Sequence, residues 1–175
     1  PELRTLLRSG RLWAAGGFLA LVYIAPGFTT PLLYLQTDTL KFSPAFIGLM
    51  ETIEGGAGLL GAALYGVTCR TFTLRQLLTA AIATNALVTL LYLRYGGGSA
   101  PFIHAIAGFA VIASELALMD LAVRSTPPGC ESLGFALMMG ARNFAISGSD
   151  GLGSWLIDTH GWAFHNLVWL NAGPT

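Results

Sequence analysis

An all-α, polytopic membrane helical bundle is the fold class this sequence predicts, and three observations predict it. Hydrophobic residues make up 54% of the chain and charged residues only 10%, against about 25% charged in soluble domains. That leaves too little polar surface to coat a globule of 175 residues. The apolar residues gather into stretches of the ~20 residues a helix needs to cross ~30 Å of hydrocarbon. Short, turn-rich loops separate these stretches, and positive charge collects on alternate loops.

Five full spans and a truncated sixth follow. The first covers about 12–35 and contains Pro26 and Pro31, which predict a kink. The next four cover about 44–68, 74–93, 101–123 and 132–157. The sixth begins near 163 and stops at 175, leaving ~18 Å of helix at 1.5 Å per residue. Gly96-Gly97-Gly98 and Pro127-Pro128-Gly129 mark two of the turns. Mean hydropathy is +0.64, and the 22 glycines suit close packing of membrane helices. In span two, Gly55, Gly56, Gly58, Gly61 and Gly66 read first as packing residues.

The basic residues orient the bundle. Arg4, Arg8, Arg11, Arg70, Arg75 and Arg124 lie on the N-terminal arm and the even loops, against Lys41 and Arg94 on the odd ones. The arm is therefore expected in the cytoplasm of a multi-pass cell-membrane protein. No cleavable leader pattern is present and the first residue is proline, so the expectation is a start internal to a longer chain, or a processed one. Zero formal net charge gives no reason to expect nucleic-acid binding. Cys69 and Cys130 fall near predicted cytoplasmic loops, where neither a disulfide nor a metal site is expected. No phosphate loop, zinc signature or nucleophile elbow appears. The expectation is a non-enzyme with no cofactor and no metal.

The residues that carry function are the charges inside the spans. A charged side chain at mid-bilayer costs roughly 2.5–3.5 kcal/mol on insertion scales and normally faces protein or water. Arg142 lies ten residues into span five and Glu54 ten residues into span two, from opposite faces. Both therefore reach ~15 Å, near the midplane, and an ion pair is possible if spans two and five are neighbours. Glu51 sits one turn from Glu54. Asn143, Ser147, Asp150 and Ser154 form a polar stripe on span five, flanked by Arg142. Span four carries Glu115, and Asp120 four residues before Arg124, with which it can pair at the interface. His104, Tyr92 and Tyr95 read as interfacial residues, and Tyr23 and Tyr34 as hydroxyls a substrate could use. Spans three and six lack ionisable interior residues and are expected to face lipid.

Three local patterns stand in order along the chain: Thr39-Leu40-Lys41-Phe42-Ser43-Pro44-Ala45-Phe46-Ile47-Gly48; Leu64-Tyr65 followed by Arg70 and Leu74-Arg75; and Pro128-Gly129-Cys130-Glu131 with Phe135-Ala136-Leu137-Met138-Met139 and Asn143. Together they resemble the folate–biopterin transporter family of the major facilitator superfamily. The resemblance implies the C-terminal six-helix half of a twelve-helix transporter. It also implies that the first, second, fourth and fifth helices line a cavity while the third and sixth stand outside. The expected partners are the lipid bilayer, the N-terminal half of the same transporter, a small-molecule substrate (by resemblance a folate or pterin), and protons if the transport is symport.

The expected function is secondary active transport by alternating access. Arg142, Glu54 and Asn143 are the central candidates for substrate binding or coupling. Glu51, Glu115 and Asp150 are candidates for gating or proton coupling. The competing expectation is a non-transporting scaffold or receptor-like domain whose buried charges only lock helices together.

Overall fold

The computed structural model describes residues 2–173. Residues 174 and 175, read as the end of the sixth span, lie outside them, as does the side chain of Arg4 on the basic arm. Eight α-helices are described: α1 (Glu2–Arg8), α2 (Gly10–Val22), α3 (Thr29–Tyr34), α4 (Pro44–Thr68), α5 (Leu74–Leu91), α6 (Ala100–Ser125), α7 (Glu131–His160) and α8 (Phe164–Ala172). A π-helical turn, Leu35–Thr39, continues α3, and a 3₁₀ turn, Tyr92–Arg94, continues α5. No strand occurs among the described residues. Three helical segments are long and apolar enough to cross a membrane: α4, α5 with its 3₁₀ turn, and α6. α7, with 30 residues, is ~45 Å long, but it carries Arg142, Asp150 and Asp158. Large apolar side chains point outward, Leu59 at 74% exposure and Phe144 at 83%, as a lipid-facing surface requires.

Local sequence sets the helix ends. Ser43 caps α4 by accepting from the Phe46 N–H at 3.2 Å, and Pro44 occupies the first turn, where no N–H is needed. Thr73 and Gln76 form a capping box at the start of α5. Gly161, at φ 63°, ends α7 in the left-handed region. Between α6 and α7, Glu131 accepts from the Gly129 N–H at 2.9 Å. That backbone hydrogen bond holds the exposed Glu131 carboxyl below its ordinary range.

α6 is the centre of the bundle, packing against α2, α4, α5 and α7. α4 meets it through glycines: Gly108 lies against the Glu54 backbone, Gly58 against Ile112 and Gly61 against Phe109. Of the six glycines in this helix, Gly58 and Gly61 make the close approach, while Gly48, Gly55, Gly56 and Gly66 face open space. The contacts advance together, from Glu54 with Gly108 to Tyr65 with Asp120, so α4 and α6 run parallel. The segment from α1 to α3 runs parallel to α7 in the same way: Leu6 meets Gly134, Tyr23 meets Arg142, and Gly27 meets Gly153. α8 packs on α5, where Phe164 and Val168 join Val88 and Tyr92 in one apolar cluster.

The first span is broken between α2 and α3, with Pro26 in the non-helical stretch and Pro31 in the first turn of α3. The break frees backbone groups that hydrocarbon cannot satisfy, and neighbouring helices satisfy them instead. The Gly27 N–H donates to Ser149 O at 2.8 Å, Ser149 Oγ donates to Ala25 O, and Asn171 Nδ2 donates to Pro26 O at 3.1 Å. Asp150 accepts from the Thr30 N–H at 3.0 Å and from Thr30 Oγ1 at 2.5 Å, placing a carboxylate at the electropositive start of α3. Asp150→Ala is expected to lower stability by about 1–2 kcal/mol, the usual value of a helix cap. Thr30→Val keeps the backbone bond and should cost less. Thermal unfolding of the purified variants checks the order.

Candidate functional site

Arg142 stands on α7, eleven residues after its start and so ~16 Å along it. Its Nη2 donates to Glu115 Oε1 on α6, forming an ion pair in which both side chains are 17% exposed. The Tyr23 hydroxyl, at the end of α2, donates to the same carboxylate oxygen at 2.8 Å. The guanidinium also lies 5.4 Å from the centre of the Tyr23 ring, a cation–π contact. Arg142 Nη1 donates to Asn143 Oδ1 at 3.0 Å. Arg142 Nε is buried, and it has no hydrogen-bond partner among the described residues. Three elements thus converge on one charge pair, leaving the buried Nε–H unspent and Asn143 exposed beside it. Chemically the cluster can offer N–H donors to an acceptor and a carboxylate to a donor edge.

A second cluster lies ~16 Å along α6 from the first, since eleven residues separate His104 from Glu115. Glu54 Oε2 is 2.6 Å from His104 Nδ1. His104 Nε2 is 2.8 Å from the Tyr95 hydroxyl, which accepts from Gln36 Nε2 at 2.5 Å. Gln36 belongs to the π turn after α3 and is buried. Tyr92 stacks on Tyr95 with ring centres 5.7 Å apart and planes 14° from parallel.

A third polar group sits near the end of α6. Asp120 accepts from Arg124 Nε at 2.8 Å and from the Tyr65 hydroxyl at 3.1 Å. This is the pairing expected from their four-residue spacing. An apolar cavity of about 430 Å³ lies between α4, α5 and α6, lined by residues including Thr68, Ala80, Phe109 and Ala113. None of the intramembrane carboxylates or Arg142 lines it, so it is not the candidate site.

The profile of the BT1 family matches residues 6–171, nearly the whole chain. The chain belongs to the BT1 family. A folate-biopterin transporter from Synechocystis sp. is 28% identical over 131 residues, covering 69% of this chain and 26% of the relative. The BT1-family chain therefore spans about a quarter of that relative's length. No solved structure matches it.

In this BT1-family chain the Glu54–Arg142 pair that equal depth left possible does not form. Glu54 does not meet Arg142; it meets His104, and Arg142 meets Glu115. The reason is the helix order: α4 packs on α6, whereas α7 packs on α2, α3 and α6. Equal depth does not make two helices neighbours. Glu115 and Asn143 join Arg142 in the first cluster, Asp150 is drawn to the broken span, and Glu51 lies exposed one turn from Glu54. The polar stripe of α7 is consequently divided: Asn143 and Ser147 are exposed, while Ser154 donates to the Asp150 carbonyl at 3.0 Å.

His104 and Tyr92, expected at an interface, are buried at 2% and 7% exposure. Tyr23 offers its hydroxyl to Glu115. The signal for His104 was present in the sequence: it precedes Gly108 by four residues, and so shares the face on which α4 approaches.

Proposed function

We propose that this chain is one six-helix half of a secondary active transporter of the major facilitator type, moving a small organic solute across the cell membrane by alternating access. It carries its solute rather than converting it. The observation that bears the weight is the Arg142–Glu115–Tyr23 cluster, built from α2, α6 and α7 at mid-helix depth with a guanidinium N–H unspent. An intramembrane ion pair with surplus donors beside an exposed asparagine is costly to keep and suited to a polar solute. The name of the Synechocystis relative supports folates or pterins as the solute class. A carboxylate such as Glu115 can accept paired hydrogen bonds from a pterin edge, while Arg142 and Asn143 can donate to a solute carboxylate. The cytoplasmic N-terminal arm and proton symport belong to the same proposal, supported by the loop arginines and the intramembrane acids.

Uptake of radiolabelled folic acid and biopterin into proteoliposomes of the full-length protein tests the reading. Folic acid carries carboxylates and biopterin does not, so Arg142→Lys, which keeps the charge but loses the guanidinium fork, should weaken folic acid uptake more than biopterin uptake. Equal loss of both removes Arg142 from carboxylate recognition.

A second reading has an observation in its favour: Glu115 already satisfies Arg142 in part, as expected of a scaffold whose charges lock helices. Wild-type protein that inserts and folds but moves neither compound in either direction would favour it.

A further inference from the structure

We infer that Glu54 is a proton-carrying carboxylate separate from the Arg142 cluster, and that the His104–Tyr95–Gln36 chain ties its protonation to the packing of four segments. This inference rests on the transporter reading above and assigns the coupling role within it.

The donor order in this chain follows from the placement of Gln36 Nε2 against the Tyr95 oxygen. Gln36 Nε2 can only donate, so the Tyr95 oxygen accepts at 2.5 Å. The single Tyr95 hydroxyl proton is then spent on His104 Nε2 at 2.8 Å, which leaves Nδ1 to carry the imidazole proton toward Glu54 Oε2 at 2.6 Å. Each donor then meets an acceptor with the histidine neutral, and Glu54 Oε2 accepts from Nδ1 whether or not the other carboxyl oxygen carries a proton. A proton on His104 Nε2 would meet a tyrosine oxygen whose own proton must first turn away. An added proton is therefore held on Glu54. His104 is 2% exposed whereas Glu54 is 33% exposed, so the carboxylate has a side open to exchange.

The surroundings fit this role. Among the described residues Glu54 is hydrogen-bonded to His104, and neither lysine nor arginine forms a salt bridge with it. The other titratable groups about it are Glu51 on α4, and Tyr92 and Tyr95 at the end of α5. A lone carboxylate facing a neutral imidazole and phenols can gain and lose a proton without breaking a fixed ion pair. Arg142 and Glu115 lack that freedom, being opposite charges in contact.

Loading the proton has a mechanical consequence. The proton comes from water, adds to the carboxylate as a neutral carboxyl, and leaves to water from the same oxygen; no other reactant is needed. On loading, the His104–Glu54 hydrogen bond changes from charge-assisted to neutral and loses about half its strength. That bond joins α4 to α6, and through Tyr95 and Gln36 it reaches the 3₁₀ end of α5 and the π turn after α3. One proton thereby loosens a tie among four segments, a local event that alternating access can use.

Glu54→Gln is the informative variant, because its amide oxygen can still accept from His104 Nδ1 and preserve the fold. In full-length protein reconstituted into liposomes, wild type should accumulate folic acid or biopterin when a pH gradient is imposed. Glu54→Gln should lose at least tenfold of that accumulation while retaining exchange of labelled for unlabelled compound. Gradient-driven accumulation that survives the substitution overturns the inference. Loss of both accumulation and exchange in folded protein also overturns it, since Glu54 would then serve the solute.

Infrared difference spectra across a pH titration provide a readout that needs no solute. A protonated-carboxyl band present in wild type and missing in Glu54→Gln supports the assignment, and identical spectra overturn it. If neither compound is taken up by wild type, the solute reading fails while the infrared comparison still decides the role of Glu54.

Discussion

Arg142→Gln should abolish uptake and destabilise the protein, whereas the double variant Arg142→Gln/Glu115→Gln should recover stability without recovering uptake. The single substitution strands Glu115 as a buried, uncompensated charge between α6 and α7, a change that typically costs about 3–5 kcal/mol. The double variant leaves two amides that can bond to each other and to Tyr23, with no charge to desolvate, and replacing a buried pair in that way is often neutral. Transport responds differently. If the guanidinium gives the moving solute two charge-assisted hydrogen bonds, each about 1.5–3 kcal/mol, both variants lose at least about 100-fold in uptake rate. Thermal unfolding in detergent and uptake into liposomes, measured on the same three proteins, separate the two contributions. Uptake restored by the double variant would make the pair a structural clamp and remove Arg142 from the transport path.

The second large effect is expected at Gly108. A Cβ there would fall 2.1 Å from the Glu54 carbonyl oxygen and 2.7 Å from its carbon, both backbone atoms that cannot swing away. α4 and α6 would have to separate by about an ångström, losing dispersion contact along the Gly58 and Gly61 seam. Overpacking of this kind typically costs about 1–3 kcal/mol, and here it also draws Glu54 away from His104. Gly108→Ala should therefore lower the yield of folded protein and its unfolding temperature. Gly55→Ala, on the open side of α4, should leave both nearly unchanged and serves as the control. Equal behaviour of the two variants would contradict the close approach of α4 and α6.

What could be read from the sequence follows from what hydropathy encodes. Span length and apolar content depend on residues close together in the chain, so α4 and α6 appear where the pattern places them, and Pro26 and Pro31 mark the broken first span. Depth along a helix is also local, at 1.5 Å per residue, and it set Arg142 and Glu54 well inside their spans. Partner choice is not local. It depends on which helices adjoin and how each is rotated, which depth leaves open. Glu54 and Arg142 matched in depth, yet each found its partner on α6 because α6 lies between α4 and α7. His104 looked interfacial because it stands near the start of α6, but the approach of α4 at Gly108 and the stack of Tyr92 and Tyr95 cover it.

The break between α2 and α3 has a bearing on how the chain is made. The peptide groups around Pro26 and Gly27 are completed by Ser149, Asp150 and Asn171, more than a hundred residues later in synthesis. Until α7 and α8 leave the ribosome, the broken segment carries bare amides that lipid cannot satisfy. It must wait in a wet or chaperoned setting and close only when those two helices arrive. A nascent chain stopped after α6 should therefore keep residues 25–30 open to water-soluble labels, and one extended through α8 should protect them.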